Sequence, residues 1–195
     1  MTSNPSAEIP DRSTRLKCRF VAAPHPSVID PTELLQQCDL RTQRRSGPGG
    51  QHRNKTSSGA FLTHRSTGLV GEATERRSQA QNRDVVLLRL RAILAIGLRT
   101  PSPLDAAEYL DPPQERSIRN RYRKHAMKLN DANTDKPALL AMVLNDAWAA
   151  GGQPSLIADC WETSTSRIVT LLRSHAPALQ WVNRIREHHG RLPLH

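Results

Sequence analysis

A glycine-rich, basic stretch at residues 44–55 is the part of the chain whose side chains and backbone could do chemistry. Its centre is Gly49-Gly50-Gln51, and residues 41–55 carry five Lys or Arg side chains and no carboxylate. Adjacent glycines let the backbone bring its N–H groups close to a crowded target. Because Gln51 is neither an acid nor a base, this segment could only position a water molecule and stabilise developing charge with N–H donors. The basic flanks would hold it against RNA phosphates.

A second Gly-Gly-Gln, at Gly151-Gly152-Gln153, lies in a different setting. It follows a segment with helical periodicity and has no basic residue nearby. We therefore interpret its glycines as the end of a helix and assign it no chemistry.

The charge balance of the chain indicates a polyanionic partner. Its 195 residues contain 28 Lys and Arg against 18 Asp and Glu, and the excess lies before residue 131, since residues 131–195 have no net charge. The three cysteines are far apart and favour a reducing compartment over a disulfide framework. No apolar stretch is long enough for a signal sequence or a membrane span, so we expect a cytoplasmic protein without a membrane partner. The histidines have no ligand partners at metal spacing, so we expect no metal and no cofactor.

Local signals predict an α+β domain around the glycine-rich stretch. Asp30-Pro31 begins a short helix, a strand runs from Asp39 to Arg44, and a hairpin turns at Ser66-Thr67-Gly68. A capping box at Ser78 and Gln81 begins a long helix, whose apolar face carries Leu87, Leu90, Leu94 and Leu98. A helix packed on a small antiparallel sheet is the expected arrangement.

The rest of the chain is predicted to be all-α. We expect a disordered leader at 1–27, the catalytic domain at 28–100, a linker at 101–113 and a helical C-terminal region at 114–195. The first helix of that region is predicted over Gln114–Leu129, with its Arg and Lys side chains in solvent. Ala158, Glu162 and Ser164 have helix-turn-helix spacing. Because the segment is neutral, we favour a helical packing unit there and expect no DNA partner.

Three motifs, in order, resemble the catalytic domain of class I peptide chain release factors over about residues 38–99. The first is Ser46-Gly47-Pro48-Gly49-Gly50-Gln51-His52-Arg53-Asn54-Lys55-Thr56. The second is Leu62-Thr63-His64 with Thr67-Gly68, and the third is Glu75-Arg76-Arg77-Ser78-Gln79 with Asn82-Arg83. One departure is Arg53, where an apolar residue is common in that family; it adds charge and leaves the Gly-Gly-Gln intact.

The resemblance implies hydrolysis of the peptidyl-tRNA ester on the ribosome, with large-subunit rRNA and P-site peptidyl-tRNA as partners. It implies that the Gln51 backbone N–H stabilises the reaction centre, that its side chain admits water, and that Gly49 and Gly50 permit the loop conformation. Gln51 would also be the position that a glutamine methyltransferase modifies at N5. The RNA-binding residues implied, together with the cationic flanks, are Arg44, Arg45, His52, Arg53, Asn54, Lys55, Arg76, Arg77, Gln79, Asn82 and Arg83. For any single member of the 76–83 cluster, a solvated face or a helix cap is the competing interpretation.

The chain contains no decoding tripeptide of the Pro-x-Thr or Ser-Pro-Phe kind. The leading hypothesis is therefore a release-factor-like hydrolase that acts without a stop codon, in rescue of stalled ribosomes. The alternative is a non-catalytic RNA- or ribosome-binding regulator that uses the helix-turn-helix-like unit. A hydrolase acting off the ribosome would need its own general base beside the loop, and the sequence offers no convincing candidate.

Overall fold

The structure is a computed structural model that describes residues 8–43, 59–105, 109, 111–125 and 127–195. It divides into two compact units. We call residues Ile29–Leu94 the sheet unit, and Met1–Val28 with Ala95–His195 the helical unit.

The sheet unit is built from the elements that local signals predict. Helix α1 (Pro31–Gln36) begins after Asp30, whose carboxylate accepts a hydrogen bond from the Thr32 backbone N–H at 2.8 Å. Strands β2 (Cys38–Gln43), β3 (Gly59–His64) and β4 (Val70–Ala73) follow, and then helix α2 (Gln79–Gly97). The α+β class with a small antiparallel sheet is confirmed.

Strand order β2-β3-β4 makes β3 the central strand of an antiparallel sheet. On one face, Ala60 and Leu62 are buried, as are Val86, Leu90 and Leu94 of α2. Gly71 of β4 marks the closest approach to the helix, because a Cβ added there would lie 3.0 Å from Leu90 Cβ, Leu90 N and Val86 O. The missing side chain thus lets α2 pack directly on the strand.

The helical unit has helix α4 at its centre. The parallel pair β1 (Arg19–Phe20) and β5 (Leu98–Arg99) accompanies helices α3 (Pro113–Tyr122), α4 (Lys136–Ala149), α5 (Pro154–Cys160), α6 (Thr165–Arg173) and α7 (Ala176–His188). All residues of α4 are buried, including Lys136, Asn145 and Asp146. Helix α4 contacts α3, α5, α6 and α7. No helix of the described residues is long and apolar enough to cross a membrane.

Residues 8–28 differ from the disordered leader expected from the sequence. They carry a short 3-10 helix (Arg12–Thr14) and β1, and they group with the helical unit. Trp148 Nε1 donates to the Leu16 carbonyl at 2.7 Å, and the Arg15 guanidinium lies 4.7 Å from the Trp148 ring centroid. These contacts to α4 order the segment, which its polar composition could not show.

The stretch expected to be a linker, 101–113, also differs in its described part. Ser102 is fully buried, and its hydroxyl donates to Asp146 at 2.6 Å. Asp105 pairs with the buried Arg15. The segment is thus held in the helical unit through side chains, whereas its prolines alone suggested a spacer.

The predicted helix over Gln114–Leu129 is wrong in its second half, since α3 ends at Tyr122. Lys124 adopts a left-handed conformation (φ 66°), and its N–H donates to the Trp161 carbonyl at 3.1 Å. Arg119, expected in solvent, is 2% exposed and pairs with Asp146. A tertiary contact therefore overrides the helix propensity of this stretch.

Two predicted features of the helical region are confirmed. Gly151 and Gly152 follow α4 with φ of 59° and 72°, so the second Gly-Gly-Gln does end a helix. Helices α5 and α6 are joined by a tight turn in helix-turn-helix fashion, with Glu162 in the left-handed region (φ 47°). The Ser164 hydroxyl caps α6 by accepting from the Arg167 N–H at 3.4 Å.

His25 gives the helical unit a specific acid sensitivity. It is fully buried; Nε2 lies 3.2 Å from the Leu98 carbonyl, and Nδ1 accepts from the Ser27 N–H at 3.1 Å. Burial, then the nearby Arg99 charge, lowers the pKa of His25 from 6.5 to about 3. Between these values the unfolded state binds a proton that the folded state does not. The free energy of unfolding should therefore decrease on acidification between these pKa values, by about 1.4 kcal/mol per pH unit for this one group.

Urea unfolding at several pH values measures this effect. The three tryptophans, Trp148, Trp161 and Trp181, all lie in the helical unit, so their fluorescence reports its unfolding. Below pH 6.5, we expect His25→Gln to reduce the slope of the free energy of unfolding against pH by the amount that corresponds to nearly one bound proton. Equal slopes for wild type and His25→Gln would refute the assignment.

Candidate active site and RNA-facing surface

The two residues that flank the glycine-rich segment in the described part of the chain are paired strand ends. Gln43, the last residue of β2, pairs with Gly59, the first residue of β3. A Cβ at Gly59 would lie 3.0 Å from the Gln43 carbonyl oxygen and 3.3 Å from Thr74 Cγ2, so a side chain there would push the two ends apart. The sheet thus fixes the positions of Gln43 and Gly59, between which the segment lies in the sequence.

The residues between these ends lie outside the described part of the chain. They include all predicted catalytic residues and most of the predicted RNA-binding residues: Arg44, Arg45, Gly49, Gly50, Gln51, His52, Arg53, Asn54 and Lys55. Their roles remain predictions.

The second motif, around His64, organises the hairpin between β3 and β4. His64 is buried, and its Nδ1 lies 2.8 Å from the Thr67 hydroxyl oxygen. Its Nε2 lies 3.5 Å from Gln37 Oε1, which follows α1. Gly68 completes the turn with φ 70°. One imidazole nitrogen is therefore used within the turn and the other faces the end of α1, so the motif supports β3, the strand that follows the glycine-rich segment.

The third motif is arranged around Asn82, whose side chain is fully buried. Its Oδ1 accepts from the Arg76 N–H at 3.0 Å, and its Nδ2 donates to the Arg76 carbonyl at 2.9 Å. The side chain of Asn82 is thus hydrogen-bonded to both the N–H and the carbonyl of Arg76, and these bonds fix the turn that precedes α2. Asn82 was predicted to contact RNA, but a buried amide cannot reach an RNA molecule outside the protein. The structure instead shows it as a residue that positions its neighbours.

The other predicted RNA-binding residues of this motif form an exposed cationic surface. Arg76, Arg77, Gln79 and Arg83 are all exposed. In the described part of the chain, none of the three guanidinium groups forms an ion pair within 4.0 Å. Exposed cations around a helix start suit contact with a phosphate backbone. We call Arg76, Arg77 and Arg83 the α2 basic cluster.

Two carboxylates adjoin this cluster in sequence, Glu75 and the exposed Asp84, and Glu75 is already engaged. Glu75 accepts from Arg89 Nη2 at 2.6 Å and from the Thr74 N–H at 2.9 Å. Backbone hydrogen bonds, followed by Arg89, lower the pKa of Glu75. Arg89 also donates to the Glu72 carbonyl at 2.9 Å and so ties α2 to the end of β4. Sequence analysis missed this pairing, although Arg89 inside an otherwise apolar helix stretch was a signal for it.

Replacement of Asn82 tests its positioning role. Asn82→Ala should leave the Arg76 backbone groups unpaired and cost about 1–3 kcal/mol locally. We expect faster amide hydrogen exchange through residues 74–86 and weaker RNA binding by the α2 basic cluster. Gln79→Ala, which removes an exposed amide from the same helix, should leave exchange unchanged. Normal protection of the 74–78 turn in Asn82→Ala would contradict the role.

No group of three or more His, Cys, Asp or Glu side chains in the described residues could hold a metal ion. The cysteine thiols are poor nucleophiles as well, because burial raises the pKa of Cys160 to about 12 and also raises those of Cys18 and Cys38.

Comparison with known proteins identifies the family to which the chain belongs. A family model described as the RF-1 domain matches residues 29–135, more than half of the chain. The chain belongs to the RF-1 domain family. The match covers the whole sheet unit and extends through α3, whereas helices α4–α7 lie beyond it. The expected membership of the class I release-factor family is thereby confirmed.

Curated relatives of this RF-1 domain protein include peptide chain release factor 2 of Acidovorax sp. (strain JS42). It is 47% identical over 86 residues, which are 43% of this chain and 23% of the relative. Peptide chain release factor 1 of Ureaplasma parvum serovar 3 is 46% identical over 67 residues, 34% of this chain and 18% of the relative. "Peptide chain release factor 1-like, mitochondrial" of Rattus norvegicus is 44% identical over 69 residues, 33% of this chain and 18% of the relative. The matched part spans roughly a fifth of these relatives' length.

Proposed function

We propose that this RF-1 domain protein hydrolyses the peptidyl-tRNA ester on the ribosome and does so without reading a stop codon. The observation that carries the proposal is that the family match, residues 29–135, encloses Gly49-Gly50-Gln51 with its basic flanks. The names of the relatives support an action in peptide release. A ribosomal role agrees with the charge excess before residue 131, and a cytoplasmic location is part of the proposal.

In this proposal the catalytic segment works by positioning rather than by acid–base chemistry. The Gln51 N–H stabilises the charge that develops on the ester, and the Gln51 side chain admits water and excludes larger nucleophiles. Gly49 and Gly50 allow the backbone to approach the ester closely. N5-methylation of Gln51 by a glutamine methyltransferase would tune the side chain without adding a charge.

Two sets of basic residues hold the segment against RNA. The first comprises Arg44, Arg45, His52, Arg53, Asn54 and Lys55, on either side of Gly49-Gly50-Gln51. The second is the α2 basic cluster with Gln79, whose exposure and lack of ion pairs in the described region leave it free for phosphates of rRNA or tRNA. Asn82 supports this second set through the Arg76 backbone.

Single-turnover peptide release tests the function and its codon independence together. Ribosomes carrying radiolabelled peptidyl-tRNA in the P site are prepared on an mRNA truncated at that site, on an mRNA with a sense codon in the A site and on one with a stop codon. We expect release on the truncated mRNA, and we expect a stop codon to give no advantage over a sense codon. Release only with a stop codon would overturn the rescue function and leave peptide release standing.

A non-catalytic regulator is the second candidate, favoured by the helix-turn-helix-like α5–α6 pair. Under it, the protein binds ribosomes or RNA, and peptide stays on the tRNA with every mRNA. Binding without release at saturating protein would therefore favour this candidate.

A further inference from the structure

Helix α6 presents a polar, cationic face that the rest of the helical unit does not cover. Ile168, Leu171 and Leu172 are buried. Ser166, Arg167, Thr170 and Arg173, which we call the α6 stripe, are exposed and occupy an arc of about 120° at 100° per residue. Neither arginine forms an ion pair within the described residues.

The neutrality of residues 131–195 conceals this local charge. No carboxylate occurs from Thr163 to Arg186. Glu162, at the turn before α6, lies 2.9 Å from Lys124 Nζ and 3.8 Å from Arg123 Nε. Three of the remaining carboxylates are also engaged. Asp146 is buried against Arg119, Asp135 pairs with Arg121, and Asp131 pairs with Lys136. The α6 stripe is therefore a positive surface in a segment whose net charge is zero.

The chemistry of the stripe favours a double-helical polyanion. Single-stranded nucleic acid is bound through exposed aromatic rings on which bases stack. The α6 stripe has none, and the nearby Trp161 is buried. Arginines and short hydroxyls are the groups that contact phosphates and sugars.

The same surface favours RNA over DNA. A helix that enters the major groove of DNA leads with its N-terminal residues. Here the exposed Asp159, near the end of α5, lies before the turn into α6 and would meet the DNA phosphates with like charge. A stripe along the side of the helix instead fits the wide, shallow minor groove of A-form RNA, where 2′-hydroxyls and phosphates are accessible.

We propose that the α6 stripe binds the backbone of double-helical RNA and gives the protein a second RNA contact, separate from the RF-1 domain. Its identification as ribosomal RNA rests on the proposed function. The stripe lies at 166–173, outside the region that the family model matches.

The test uses the full chain, a fluorescent A-form RNA hairpin and a B-DNA duplex of the same sequence. The stripe variant is Arg167→Gln with Arg173→Gln. The matched control, Lys17→Gln with Arg184→Gln, removes the same charge from exposed positions of the helical unit. For two lost phosphate contacts, we expect hairpin affinity to fall about 10- to 60-fold at 0.1 M salt, and the slope of log K against log salt to decrease by about 2. The control should retain affinity within a few-fold.

Each outcome decides the proposal. Equal affinities of the stripe variant and the control variant for the hairpin would overturn it, and a larger loss on the DNA duplex would identify a DNA surface instead. If the wild type releases peptide and the stripe variant binds the hairpin as tightly as the wild type does, RNA binding by the stripe is refuted and the proposed function stands. A stripe-dependent loss on the hairpin without any peptide release would support RNA binding by α6 and remove the proposed function.

Discussion

Gln51→Ala should reduce single-turnover peptide release by about 100-fold or more at saturating protein, while ribosome affinity changes little. The substitution retains the backbone N–H at residue 51 and removes the side chain that, in the proposed function, admits water. Loss of a positioned nucleophile costs about this factor in enzymes that work by orientation. The basic residues on both sides of Gly49-Gly50-Gln51, to which the proposed function assigns the binding, are untouched. The measurement is the rate of peptide release from ribosomes on a truncated mRNA, with affinity measured in parallel.

The chain provides its own control for this substitution. Gln153 stands in the second Gly-Gly-Gln, where its Nε2 donates to the carbonyls of Glu8 and Ala150 at 2.9 and 3.1 Å. Gln153→Ala should therefore release peptide at the wild-type rate. A variant Gln51→Ala that releases peptide normally would show that the segment is not catalytic, and the non-catalytic regulator would then be favoured.

Elements of the sheet unit could be predicted from the sequence because their signals are local. Asp30 caps α1 through a contact two residues away, and the turn at Gly68 requires a positive φ that glycine adopts at no cost. The apolar spacing of Leu90 and Leu94 places the helix face that the sheet buries. Each of these features depends on neighbours within a few residues, so the chain itself displays them.

The candidate site could be predicted only in part. The motif identified the α2 basic cluster, which is exposed as expected, but it placed Asn82 in the same role. An Asn four residues beyond a capping Ser is a local warning, because Asn competes for backbone groups and disfavours helix interiors. The partner that it takes, the Arg76 backbone six residues earlier, depends on how the preceding turn folds.

The buried polar contacts inside the helical unit could not be predicted from the sequence. Charged residues are by default interpreted as solvated, yet Glu115, Arg119 and Asp146 are buried together with their partners. Glu115 accepts from the Tyr109 hydroxyl, the Thr100 hydroxyl and the His25 N–H, which lie 6, 15 and 90 residues away. Burial raises the pKa of Glu115. Such pairings follow from tertiary packing and leave no periodic trace.

Asp146 is the centre of this interior, and Asp146→Asn should destabilise the helical unit by about 3–5 kcal/mol. The carboxylate accepts from Arg119 at 2.7 and 3.0 Å, from the Ser102 hydroxyl at 2.6 Å and from Trp161 Nε1 at 2.7 Å. These bonds join α3, α4, the residue that follows α5, and the stretch after β5. The amide removes the charge that compensates Arg119, whose side chain is 3% exposed and whose other carboxylate, Asp111, is 3.8 Å away. Removing one partner of a buried ion pair carries this cost because the other charge stays desolvated.

Urea unfolding followed by tryptophan fluorescence measures the change, since all three tryptophans belong to the helical unit. Glu162→Gln is the matched control: it makes the same carboxylate-to-amide change in the same unit, at an ion pair with both partners exposed. It should cost less than about 1 kcal/mol, because solvent screens an exposed pair. If the two variants unfold at the same urea concentration, Asp146 does not hold the unit together. The difference in stability between the two variants arises because the Arg119 charge stays buried when Asp146 is replaced by Asn. Arg119 is held in place by its helix, since its neighbours Ile118 and Tyr122 are buried as well.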